Sequence, residues 1–166
     1  MAGLKRHGLA MLLAGLSCLS YSCRQETNAP ATGSLRERAD RGDAVAQRFL
    51  GLRYYTGRGV KQDYAEAMRW YRKAADQGDG DAQFNLSFEH YVGQKVAKDN
   101  VAALMWVILA SRGAGGGGQS ESQKVFAQFR QKLSVEMPSE QIAEAERRAR
   151  EWKPKTAQES KQPARK

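Results

Sequence analysis

The chain has 166 residues, 41% of them hydrophobic, with 27 Lys and Arg against 18 Asp and Glu and with two cysteines. That length holds one domain, and because Cys18 and Cys23 both lie near the start, no disulfide framework or cysteine-ligated metal site is available to anything that follows. The formal charge of +9 suggests nucleic acid until it is located: residues 153–166 carry +4 and Lys5, Arg6 and Arg24 add +3, so residues 25–152 keep only +2 and lack the surplus a nucleic-acid face needs.

Lys5 and Arg6 precede an apolar stretch over 9–19 that is too short to cross a bilayer core of roughly 30 Å, and small residues follow it, so 1–22 has the form of an export signal. Ser20 and Ser22 stand at the spacing a signal peptidase accepts, which places cleavage before Cys23; an uncleaved anchor is the alternative. A lone thiol is out of place in an oxidising compartment, and lipidation of Cys23 removes it, although Ser20 stands where lipoprotein boxes prefer leucine. The mature protein is therefore expected in the periplasm, either soluble or membrane-anchored as a lipoprotein. Residues 23–33 read as a flexible linker and 34–41 as a short helix covering one end of the domain, which extends over 34–152.

A repeat of 36 residues follows. Residues 39–74 laid over 75–110 match without a gap at Ala39/Ala75, Gly42/Gly78, Asp43/Asp79, Ala46/Ala82, Gln47/Gln83, Leu50/Leu86, Tyr55/Tyr91, Gly57/Gly93, Asp63/Asp99, Ala67/Ala103, Trp70/Trp106 and Ala74/Ala110. A unit of this length cannot bury its apolar face alone and must stack on its copy. Within each unit the helical period occurs twice with a break between, which predicts an antiparallel helix pair. Ala46, Leu50 and Tyr54 form one row of the first helix and Gln47, Gly51 and Tyr55 the next; Gly42 ends the preceding helix and Asp43 caps the new one. Gly57-Arg58-Gly59-Val60 supplies the turn, and in the second copy Lys95 replaces Gly59. The second helix starts at Asp63 as N-cap and carries Ala67, Trp70, Tyr71 and Ala74 on its packed stripe.

The repeat fades after Ser111, where the glycine-rich run 113–118 is unsuited to a helix. Capping helices are expected over about 120–134, with Val125, Phe126, Phe129 and Leu133 on one face, and over 138–152, with Pro138 in the first turn and Ile142, Ala145, Ala149 and Trp152 packed inward. Glu144/Arg148 and Glu146/Arg150 are spaced as pairs on the outer side. Residues 153–166, basic and without apolar anchors, read as a disordered tail able to attract anionic lipids or envelope polymers weakly through charge.

No catalytic constellation emerges. His90, the only histidine outside the signal segment, aligns with Tyr54, a packing position, and one histidine without cysteine makes no metal site. Asp43, Asp63, Asp79 and Asp99 recur as caps, not as paired acids. The glycine run ends in Gln119-Ser120 where a phosphate loop needs lysine, and the sequon Asn85-Leu86-Ser87 falls inside a helix. No enzyme activity, cofactor or metal is expected. What remains is a surface: the face of each first helix opposite its packed stripe holds Val45, Arg48, Phe49 and Leu52, then Asp81, Phe84, Asn85 and Phe88. In stacked helix pairs that face lines the concave side, so Arg48, Phe49, Leu52, Phe84, Asn85 and Phe88 are candidates for a groove holding a protein or peptide partner. The alternatives are that neighbouring repeats cover them, or that Phe84 packs between repeats.

Ala44-Val45-Ala46-Gln47, Leu50-Gly51-Leu52-Arg53-Tyr54-Tyr55, Gly57-Arg58-Gly59-Val60, Asp63-Tyr64-Ala65-Glu66-Ala67 and Trp70-Tyr71-Arg72-Lys73-Ala74-Ala75 resemble the Sel-1-like repeat, a relative of the tetratricopeptide repeat with a longer turn. The resemblance covers about 35–112 and implies an all-α fold, a short α-solenoid of helix pairs with two repeat units and a degenerate C-terminal pair, acting as an adaptor between proteins. Cysteine-rich relatives are linked to penicillin binding and β-lactam hydrolysis, which makes a β-lactam-binding or cell-wall-modifying role the alternative; the paired cysteines of those relatives are missing here.

Overall fold

The computed structural model describes residues 32–113, 121–156 and 159, which belong to one compact unit, Thr32–Lys166. The signal segment, Cys23, most of the linker, the body of the glycine run and the end of the tail lie outside the described residues. Among those described there are seven helices and no strand: α1 (Thr32–Arg41), α2 (Ala44–Thr56), α3 (Tyr64–Asp76), α4 (Gly80–Val92), α5 (Asn100–Gly113), α6 (Glu121–Glu136) and α7 (Ser139–Glu151). The tightest associations are α4 with α5 and α2 with α3, the two repeat hairpins, while α1 covers α2 and both α6 and α7 close on α5. The chain is an all-α solenoid of helix pairs. None of the described helices is long and apolar enough to cross a membrane.

Local chemistry sets the starts of four of these helices. Asp43, Asp63, Asp79 and Asp99 each accept a hydrogen bond from the amide three residues on, at 2.8 to 3.0 Å, so the free amides of α2, α3, α4 and α5 are met by the same residue type in the same way. Gly42 and Gly78 precede two of these caps with φ of 103° and 94°, backbone that a side chain would strain. Gln47 and Gln83, expected to pack, are fully buried and also donate to a carbonyl: Gln47 Nε2 to Ala39 O and Gln83 Nε2 to Ala75 O, both at 3.0 Å. The recurrence of Ala39/Ala75 with Gln47/Gln83 is thus one device that fastens each hairpin to the end of the helix before it.

Trp70 and Trp106 are buried, as their stripe implies, but in different clusters. Trp70 joins Leu35, Ala39, Ala46 and Leu50 at the first end; Trp106 lies in the main core with residues of α3 to α7. The copies also fill one spot differently. A Cβ on Gly51 would stand 2.8 Å from the Tyr71 ring and 3.2 Å from Ala67 O. At the matching place in the second copy, Ser87 donates its hydroxyl to Ala103 O, and Val107 stands in register with Tyr71.

Four expectations need correction. Val125 is exposed and not on the packed face, because the packed spacing runs Phe126, half-buried Phe129, Leu133 and Met137, one residue out of phase with it. Pro138 stands before α7 as its N-cap, in extended backbone, not within the first turn. Gly113 still closes α5. Residues 153–156 are tied down: Lys155 donates its amide to Asp76 O at 2.7 Å and its ammonium pairs with the Asp76 carboxylate at 2.9 Å. Glu144 pairs with Arg148 at 2.7 Å and Glu146 with Arg150 at 3.8 Å, as the spacing implied.

Candidate partner-binding groove

Val45, Phe49 and Leu52 recur at i, i+4 and i+7 along α2, and with Phe88 of α4 they are 42 to 46% exposed. Between the two helices lies a hollow of about 340 Å³. Leu52 and Tyr55 form the α2 wall, Phe84, Asn85, Phe88 and Glu89 the α4 wall, and Tyr71 reaches it from α3.

The six candidate residues therefore divide. Leu52, Phe84, Asn85 and Phe88 line the hollow, and Phe49 stands beside Leu52 on the exposed stripe. Phe84 resolves the alternative left open by the sequence: its ring is half-buried, 4.7 Å from Phe126 and 5.6 Å from Phe129, so it packs on α6 and forms wall more than rim. Arg48 is committed elsewhere. Its guanidinium lies 3.0 Å from Asp79 and 3.5 Å from Asp81 and covers the Phe49 ring at 4.5 Å, which staples α2 to the start of α4.

Three lining residues were not among the candidates. Tyr55 and Tyr71 lay on the packed stripes, where their rings do sit. Glu89 does carry a signal in the sequence: its partner in the repeat is Arg53, a reversal of charge where scaffold alone requires neither sign. Its side chain is 5% exposed and accepts a hydrogen bond of 2.8 Å from the Tyr55 hydroxyl. Tyr55 is edge-on to Tyr64 at 5.3 Å, and Lys95, the residue in place of the second turn glycine, sets its ammonium 4.1 Å from the Tyr64 ring centre.

The hydrogen bond to Glu89, and then burial, push the Tyr55 phenol from 10.0 up to about 12; burial, and then the neighbouring Tyr55 and Glu89, do the same to Tyr71. The fold favours the neutral phenols, so their contribution to stability is complete below pH 10 and is lost as the pH rises through about 12. In an ultraviolet titration followed alongside helicity, two tyrosines are expected to ionise late and together with unfolding. Ionisation of every tyrosine near pH 10 with helicity intact contradicts this.

A second hollow, about 360 Å³, lies between α1, α2 and α3. Its charges pair among themselves, Arg36 with Asp40 and Arg69 with Glu66, while Arg36 and Lys73 cover the Trp70 ring. It serves as a polar brace. His90 is half-buried, and its carbonyl accepts from the Asp99 amide at 3.0 Å just as that of Tyr54 accepts from Asp63. Among the described residues no group of three or more His, Cys, Asp or Glu gathers to hold a metal.

Comparison with known proteins agrees with this architecture. The family model of the Sel1 repeat matches residues 44–79 and 80–114, the same repeat with each copy starting just after the Asp43 and Asp79 caps instead of at residues 39 and 75. Among solved structures, the chain is similar to c5321, a protective antigen present in uropathogenic Escherichia coli strains displaying an SLR fold, with 30% identity over 79% of this chain and a TM-score of 0.63; this chain spans 27% of that protein. A Sel1 repeat protein from Oxalobacter formigenes aligns at 26% identity over 73% of this chain and 98% of its own, with a TM-score of 0.47. A search of curated proteins gives no match. Sel1 repeat proteins generally mediate protein–protein interaction, and their fold is typically a non-enzymatic scaffold. With two copies in tandem, each capped, fastened and packed through the same positions, residues 44–114 of this chain carry two Sel1 repeats.

Proposed function

We propose that this protein is a non-enzymatic adaptor of the bacterial cell envelope that holds a protein partner in the groove between α2 and α4. One observation carries it: Val45, Phe49, Leu52 and Phe88 stay exposed on α2 and α4 beside an open hollow. Apolar side chains at i, i+4 and i+7 next to such a hollow suit an extended peptide or one face of a helix. The export signal supports the envelope as the place of action, with Cys23 as the lipid anchor of a lipoprotein form. In a pull-down from solubilised envelope, changing Phe49, Leu52 and Phe88 to serine is expected to remove the partner recovered by the native chain. Unchanged recovery, with helicity intact by circular dichroism, would overturn the groove.

A further inference from the structure

The groove carries one feature that packing does not explain. Glu89 places a carboxylate in a mostly apolar hollow, 5% exposed, with one hydrogen bond, from Tyr55. An ionised carboxylate has about four acceptor positions, and burying it without a cation or further donors is costly. No lysine or arginine among the described residues pairs with it; Arg48 is on Asp79, Lys95 on the Tyr64 ring, and Lys98 and Lys132 on the Tyr91 ring. The repeat does not require the acid either, since Arg53 holds the same position in the first copy.

We infer that the groove takes a protein segment bearing a lysine or arginine between apolar side chains, with the cation reaching Glu89 while its neighbours pack on Leu52 and Phe88. This rests on the groove being the binding face. The charge fits, and so do the walls, since Leu52 and Phe84 offer apolar surface for the stem of a basic side chain. The chain's own basic tail is a poor occupant, because beyond Trp152 it offers nothing apolar larger than proline.

The probe is a displayed library of random 12-residue peptides panned on the full chain, with a variant carrying Leu52→Asp and Phe88→Asp as counter-selection. Peptides that need Leu52 and Phe88 are expected to share a lysine or arginine flanked by leucine, isoleucine or aromatics. Replacing that residue with norleucine is expected to weaken binding to the native chain at least about tenfold, and to change little on a Glu89→Gln variant that keeps its helicity. Peptides that need Leu52 and Phe88 but carry no basic residue, or lose nothing with norleucine, overturn the inference and leave the groove standing. Recovery of no such peptides, or concentration-dependent self-association abolished by the same two aspartates, overturns it as well; the first outcome also removes the groove, and the second makes a second copy its occupant.

Discussion

Trp106→Ala is expected to cost about 3–5 kcal/mol, at the top of the range for truncating a core side chain. Trp106 is 2% exposed, and it lies on α5, the helix on which α4, α6 and α7 all pack. Truncation removes the indole and leaves a cavity whose walls belong to several helices, so collapse relieves little of it. Against a total of about 5–15 kcal/mol for an ordinary domain, that loss brings the chain near unfolding. Its counterpart provides the control. Trp70 is equally hidden, but its cluster is confined to α1, α2 and α3, so Trp70→Ala is expected to loosen the first end and spare the main core. Urea unfolding followed by circular dichroism, with hydrogen exchange to locate the damage, distinguishes the two. A Trp106→Ala cost below about 1 kcal/mol would show that α5 is not the centre of the structure.

Gly51→Ser is expected to destabilise by about 1–3 kcal/mol, although serine is the better helix former. Helix propensity favours the change by only about 0.5 kcal/mol. The new Cβ would meet the buried Tyr71 ring at 2.8 Å and the Ala67 carbonyl at 3.2 Å, so the ring has to shift to admit it. The second copy already carries serine at this place, with valine in register with Tyr71. Tyr71→Val in the Gly51→Ser background is therefore expected to recover part of the loss, with a coupling of about 1–2 kcal/mol between the sites. Additive costs would mean that the ring and the glycine are not fitted to each other.

The extent to which the sequence foretold the molecule follows the range of the forces involved. Helix pairs, caps and buried tryptophans were legible because each depends on neighbours within a few turns, and the 36-residue period displays them twice. Contacts made at a distance were not. Gln47 and Gln83 fit an apolar row, and only the structure shows their amides reaching back to Ala39 and Ala75. Lys155 belongs to a stretch without apolar residues, yet Asp76, far away in the chain, holds it. In the groove, the exposed row on α2 was readable from spacing, whereas the inward turn of Phe84 depends on where α6 places Phe126. Arg48 reads as a surface cation until α4 brings Asp79 beside it. Val125 shows the limit of periodicity itself, since a helix without a copy to compare leaves the phase of its stripe uncertain by one residue.

The central claim, that partners are held between α2 and α4, is tested most directly by a photo-crosslinking phenylalanine analogue placed in living cells at position 49 or 88 on the groove, or at exposed position 140 on α7 as control. Positions 49 and 88 are expected to give the same discrete adduct and position 140 none. An equal adduct from position 140, or none from the groove, would contradict the claim.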